Sequence, residues 1–354
     1  MILKRSPLWI NVANLMIKIM NLPSSSRLQL TPDLNICRIL NGMWQVSGKH
    51  GAIDSTSAIQ TMFDYIDAGF TTWDLADIYG PAEDFIGQFR HQLATTRGQE
   101  ALSNIQAFTK WVPKPTPMTK QFVEEQINIS RQKMGSETLD LLQFHCWRYE
   151  DNNYLDALKY LSELQEEGKI KHLGLTNFDA EHLHEIVEAG INIVSHQVQF
   201  SLIDRRPEVN MIPLCLEKNI KLFTYGTLCG GFLSEKFLGQ PEPQTEQLST
   251  LSLKKYKIIL DKWGGWNLFQ ELLTVLSSIA VKHGVSISNI AVRYILDKPA
   301  VAGVIVGARL GISEHLKDNA RVFNLQLDRE DSDRINAVLD KSHNLHDRFI
   351  YYVR

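Results

Sequence analysis

At 354 residues, with 37 basic and 40 acidic side chains and a formal charge of −3, the chain carries no electrostatic footprint of a nucleic-acid partner. No stretch reaches the ~20 uninterrupted apolar residues of a membrane span. Cys37, Cys146, Cys215 and Cys229 stand apart with no C-x-x-C pair, which argues against both a zinc site and a disulfide framework. A small molecule is the default partner, and no pattern reports the oligomeric state.

Lys4, Arg5, Lys18 and Arg27 precede the first acid, Asp33. Residues 1–32 therefore read equally as an organelle transit segment or as a loosely docked extension, and the fold is sought in 33–354. The expected location is the cytoplasm, or a plastid or mitochondrion if 1–32 is a transit segment. From residue 36 onward, short apolar runs alternate with longer stretches of helical period. Strands are expected over 36–44, 71–76, 105–111, 139–145, 171–176, 193–200, 221–225 and 301–306. Helices are expected over 55–68, 82–93, 120–134, 154–167, 180–189, 208–218, 268–296 with a break near Gly284, and 313–323.

Eight strand-helix repeats form either a closed barrel or an open doubly wound sheet. An open dinucleotide-binding sheet carries G-x-G-x-x-G after its first strand, whereas this chain has Asn41-Gly42-Met43-Trp44 there. The pattern predicts a (β/α)8 TIM barrel with its site at the carboxyl ends of the strands. One connection, over 229–267, runs to roughly 40 residues against a ~4–6 residue median. It follows strand seven on the active face, where it reads as a mobile lid or as a passive insertion.

Polar residues cluster where apolar strands end. Asp74 closes the second strand and Tyr79 follows it; Lys110 ends the third and His145 the fourth. Singly, each has a bland reading, as a cap, a half-buried ring, a surface lysine or a core histidine. Together on one rim they support proton transfer to a carbonyl oxygen as hydride reaches carbon. In that reading Tyr79 is the donor, Lys110 lowers its pKa, Asp74 holds Lys110, and a neutral His145 hydrogen-bonds the substrate oxygen.

The segment Asp74-Leu75-Ala76-Asp77-Ile78-Tyr79-Gly80, the run Ala107-Phe108-Thr109-Lys110-Trp111 and the run Leu141-Leu142-Gln143-Phe144-His145 resemble the signatures of the aldo-keto reductases, from residue 36 to about 339. The resemblance implies the family's tetrad at Asp74, Tyr79, Lys110 and His145. It also implies carboxamide contacts to the nicotinamide from Thr176, Asn177 and Gln197, and a stacking ring at Tyr225. Where the family usually reads Ser-Pro-Leu this chain has Gly226-Thr227-Leu228, so backbone amides replace a hydroxyl at the pyrophosphate. Arg309, Asp318 and Asn319 are similar to the adenine-end motif, with Asp318 where the family commonly has Glu. A guanidinium at Arg309 suits a 2'-phosphate, and the amides opening the helix at Ser313 add an anion site.

Trp44 and Trp111 are candidate walls of an apolar substrate pocket. The pair Arg205-Arg206 reads either as an anion contact or as a salt-bridged turn. The implied activity is NADPH-dependent reduction of an aldehyde or ketone, with NADPH/NADP+ as cofactor and a small-molecule carbonyl substrate. The alternative is an NADP(H)-binding regulatory or scaffold subunit with little turnover, as the family's potassium-channel beta subunits are.

Overall fold

The computed structural model describes residues 22–48, 53–149, 153–312 and 315–345. Most of the expected transit segment, over 1–21, and the expected helix opening at Ser313 lie outside the described residues. The chain first makes an antiparallel hairpin, β1 (Arg27–Thr31) with β2 (Leu34–Cys37), so residues 27–31 join the fold ahead of the boundary expected at 33. The single strand expected over 36–44 breaks at Arg38. There the guanidinium donates to the carbonyls of Leu296, Val301 and Ala302 at 2.8–3.1 Å, turning the chain from hairpin into barrel.

Eight parallel strands close the barrel: β3 (Ile39–Gly42), β4 (Thr72–Asp74), β5 (Gln106–Trp111), β6 (Leu141–His145), β7 (Leu173–Thr176), β8 (Ile193–Gln199), β9 (Lys221–Tyr225) and β10 (Val301–Gly307), which pairs back to β3. Side chains alternate across a strand, and here the alternation sorts chemistry. Leu40, Phe108, Leu141, Phe223 and Ala302 point inward and, with Leu30, Leu34 and Ile36 of the hairpin, make a separate apolar cluster. The hairpin thus plugs the amino-terminal end of the barrel. Stepping by two along β5 and β6 from Phe108 and Leu141 reaches Lys110, Gln143 and His145, one layer higher.

Between the strands lie α1 (Ser55–Asp67), α2 (Ala82–Arg97), α3 (Lys120–Lys133), α4 (Asn153–Glu166), α5 (Ala180–Glu188) and α6 (Met211–Glu217). The long connection after β9, read from the sequence as a mobile lid or a passive insertion, has regular structure of its own. It contains three short 3-10 turns and α7 (Leu251–Trp263), capped by the Thr250 hydroxyl on the Leu253 amide at 3.1 Å. Leu253, Tyr256, Ile259, Leu260 and Trp263 bury one face of α7. A helical period in 251–263 was the available signal, masked by the prolines before it.

The break near Gly284 falls as expected between α8 (Gly265–His283) and α9 (Ile287–Leu296), with Gly284 left-handed at φ 65°. Two helices follow β10: α10 (Leu316–Arg321) and an unexpected α11 (Arg329–Leu339). The Asp328 and Asp331 carboxylates cap the start of α11 reciprocally, and Asp331 accepts from Lys282 and His283 of α8. Among the described residues no single helix is long and apolar enough to cross a membrane; α8 and α9 pass only together and meet at 92°.

The helix layer outside β8 holds a pH-sensitive group. His196 is fully buried and its Nε2 faces the Phe178 carbonyl at 2.9 Å; a carbonyl only accepts, so this nitrogen carries the proton. Burial pulls the imidazole pKa down to about 4, against about 6.5 in an unfolded chain. The unfolded chain binds the second proton first, so this contribution is complete above pH 6.5 and is lost as pH falls through 4. The gap is worth about 3 kcal/mol. Urea midpoints should fall between pH 6.5 and 4, and His196→Gln should remove that part of the slope; an unchanged slope in the variant contradicts this account.

Candidate active site

Four strands converge on one carboxylate. Lys110 Nζ donates to both Asp74 oxygens at 2.8 and 2.7 Å and to the Leu75 carbonyl at 2.9 Å. Gln143 and Gln197 donate to Asp74 Oδ1 at 3.1 and 2.8 Å, and Gln197 also donates to Gln143 Oε1 at 2.8 Å. Asp74 and Lys110 are 2% and 4% exposed. A buried ion pair holds only when its remaining donors and acceptors are satisfied, and the two glutamines satisfy them. Gln143 is a member of the site that sequence reasoning passed over; its inward parity with His145 on β6 was the readable signal.

Tyr79 is half-buried above this network. Its ring meets Trp44 edge-on at 5.0 Å, and Lys110 Nζ lies 5.1 Å from its centre. Burial, followed by the negative charge of Asp74, raises the phenol well above its ordinary pKa. The expected acidification by Lys110 is therefore not found, because that ammonium is already paired with Asp74. Burial also lowers the Lys110 pKa, with Asp74 opposing it.

His145 Nδ1 lies 3.1 Å from the Thr176 carbonyl, so Nδ1 carries the hydrogen. Burial lowers the ring's pKa, the Thr176 hydrogen bond opposes it and the Lys110 charge assists, a direction that favours the neutral imidazole. In that tautomer Nε2 is the acceptor nitrogen. It is suited to receive a hydroxyl proton rather than to donate to a carbonyl oxygen.

The residues expected at the nicotinamide gather next to the tetrad. Asn177, left-handed at φ 60°, accepts from Tyr225 Oη at 2.8 Å through Oδ1, which leaves its amide hydrogens as donors. Thr176 Oγ1 donates to the Gln197 carbonyl at 3.3 Å and keeps its acceptor capacity. Gln197 has spent both donors inside the barrel, so its Oε1 is the remaining handle. Thr227 turns its hydroxyl inward to the Phe200 carbonyl at 3.0 Å, so a pyrophosphate would meet only backbone there, beside Leu228. Gly226 has φ +73°, and a Cβ on it would lie 2.1 Å from Tyr256 Oη.

That clash shows α7 pressed onto the loop after β9, which brings there Lys255, a residue that sequence reasoning passed over. Its half-buried ammonium sits 5.3 Å over the Tyr225 ring and 5.4 Å over Tyr256. Burial lowers its pKa to about 8, with Asp204 opposing and Arg206 assisting. Asp204 does not neutralise it, being held bidentately by Arg206 at 2.7 and 2.6 Å. The salt-bridged reading of Arg206 thus prevails, and Arg205 reaches the Leu339 carbonyl at 3.3 Å and Asp340 at 3.7 Å. A glycine without clearance for a Cβ, a tyrosine ring and a half-buried cation fit a flat heterocycle carrying a pyrophosphate.

Other candidates separate. Arg309 is exposed beyond β10, available to an anion. Asp318 instead accepts from Ser286 Oγ at 2.8 Å and Asn289 Nδ2 at 3.2 Å, tying α10 to the cap of α9; Asn319 is half-buried on α10. Trp111 is 2% exposed and packs on Phe144 and Phe122. The substrate-wall expectation fails for Trp111 because Lys110 points inward and strand alternation sends its neighbour into the helix layer. Trp44, half-buried against Tyr79, remains on the rim.

The Aldo/keto reductase family model matches residues 38–340. The uncharacterized oxidoreductase YqkF of Bacillus subtilis is 29% identical over 303 residues, covering 83% of this chain and 89% of that protein. The NADH-specific methylglyoxal reductase of Escherichia coli is 22% identical over 325 residues, covering 85% and 94%. Among solved structures, the glycerol dehydrogenase of Gluconobacter oxydans superposes with a TM-score of 0.73 at 22% identity, over 90% of this chain and 96% of that one, a likeness of fold. Because the family match begins one residue before β3 and ends one residue after α11, it spans the whole barrel and every candidate residue: the chain belongs to the aldo/keto reductase family and is an oxidoreductase of its NAD(P)H-dependent, carbonyl-reducing kind.

Proposed function

We propose that the protein reduces an aldehyde or ketone to its alcohol with NADPH, the proton coming from Tyr79. The observation that carries this reading is a phenol kept protonated on the rim, over a carboxylate-lysine pair that is fully satisfied from within the barrel. A bound nicotinamide would supply the hydride. Tyr79 donates its proton to the carbonyl oxygen as negative charge grows there, and Lys110 holds positive charge 5.1 Å from the ring that becomes phenolate. Asp74, Gln143 and Gln197 fix Lys110 in place. His145 accepts from the alcohol hydroxyl through Nε2 and so orients the product, a narrower role than donation to the carbonyl.

The Asn177 amide hydrogens and the Thr176 and Gln197 oxygens suit a carboxamide; Lys255 suits the pyrophosphate and exposed Arg309 a 2'-phosphate. The E. coli relative is NADH-specific by name, so the preference is a point to measure. Hydrogen bonds to charged groups are worth about 1.5–3 kcal/mol, that is, about 10–100-fold in affinity. Arg309→Ala should weaken NADPH by about that factor and leave NADH unchanged. Lys255→Met should weaken both dinucleotides alike, since both carry the pyrophosphate, and in the parent both affinities should decline above pH 8 as Lys255 loses its proton. Tryptophan fluorescence titrations decide; an unchanged NADPH preference in Arg309→Ala removes the 2'-phosphate assignment.

A further inference from the structure

At the amino-terminal end of the barrel, remote from Tyr79, a cleft of about 760 Å³ opens between the β1–β2 hairpin and the segments that enter β4 to β7. Its charged lining is Arg27, Arg90, Lys171, Asp33, Asp67 and Asp140. The three acids are engaged. Asp33 pairs with Lys171 at 3.3 Å and His172 at 3.0 Å. Asp67 accepts from Arg97 at 2.9 Å. Asp140 accepts from the Ala107 amide at 3.0 Å, and burial favours its neutral form.

Two of the cations are not neutralised. Arg27 spends its guanidinium on Asn35 and the Thr71 hydroxyl, all uncharged acceptors, at 2.6–3.1 Å. Arg90 makes no hydrogen bond among the described residues, and its Nε is buried without an acceptor. Burial disfavours the charge on both, and for Arg90, among the described residues, only Asp140 opposes it, from beyond ion-pair distance. A guanidinium withdrawn from water without an acceptor is costly. Its forked donors match the oxygens of carboxylates and phosphates.

We propose that this cleft is an oxyanion site for the phosphate or carboxylate of a small metabolite, with Arg90 as principal ligand and Arg27 as the second. The site lies at the opposite barrel end from the reaction. It touches β5 through the Asp140 bond to Ala107, on the strand that carries Lys110.

The test is calorimetric titration of the full chain with inorganic phosphate and, separately, with malate, at an ionic strength held constant with sodium chloride. The expected result is saturable one-site binding of at least one anion, weakened at least tenfold in Arg90→Met and retained in Arg309→Ala and Lys255→Met. Phosphate binding alone assigns a phosphorylated metabolite, and malate binding alone a carboxylate. No saturable binding of either anion overturns the proposal, as does undiminished affinity in Arg90→Met or loss of binding in Arg309→Ala or Lys255→Met. Arg90 makes no hydrogen bond among the described residues, so its removal should spare the fold; should Arg90→Met not fold, Arg27→Gln decides by the same tenfold criterion.

Discussion

Tyr79→Phe is expected to abolish carbonyl reduction, lowering kcat by about 10²–10⁴-fold, the span that a positioned proton donor contributes. Phenylalanine keeps the ring against Trp44 and over Lys110 and removes only the hydroxyl. Dinucleotide affinity should stay within about twofold of the parent, because the residues assigned to the nicotinamide and pyrophosphate do not include the Tyr79 hydroxyl, and an effect confined to transition-state stabilisation leaves ground-state binding alone. Single-turnover NADPH oxidation with an excess of a small aldehyde separates the two quantities. His145 is no substitute donor, since its Nδ1 hydrogen is committed to the Thr176 carbonyl and burial opposes a second proton. A variant that turned over at the parental rate would leave the proposed mechanism without its proton.

Asp74→Asn should be the most damaging single change to both stability and activity. Removing one partner from a buried pair typically costs about 3–5 kcal/mol, because the other charge is left uncompensated. Here the loss is compounded: Lys110, Gln143 and Gln197 all donate to Asp74, and an amide at position 74 turns two hydrogens toward donors. Chemical denaturation should show the loss, and carbonyl reduction should fall with it as Lys110 leaves its place beneath Tyr79. A stability within about 1 kcal/mol of the parent would mean that water or a rearranged glutamine satisfies the lysine, and the network would have to be redrawn.

Much of this architecture was legible in the chain. Short apolar runs located all eight barrel strands, the missing glycine fingerprint argued against the open sheet, and strand-end polar residues pointed to the cluster of Asp74, Tyr79, Lys110 and His145. The errors share a physical origin, that one-dimensional reading does not register direction. Trp111 reads as a pocket wall because an aromatic stands at its strand's end, yet following the inward Lys110 is what turns it outward. Gln143 stands two positions before His145 without an assigned role, yet the same rule brings it to Asp74. Lys255 was unreadable because its meaning depends on where α7 lands, which Gly226 and Tyr256 settle in three dimensions. The Tyr79 pKa was misjudged by pairing it with Lys110 alone, when the Asp74 charge sits as close to the lysine as chemistry allows.

The hairpin that plugs the barrel has a consequence for traffic. With its apolar side chains stacked on Leu40, Phe108, Leu141 and Phe223, the barrel of the described residues is a cup with an apolar floor, and α7 leans over its mouth at Gly226. Whatever exchanges with the tetrad enters and leaves by the same door. On the proposed reading, a dinucleotide held at Tyr225 and Asn177 and a carbonyl substrate at Tyr79 share that door, and the shape of the vessel governs how they pass.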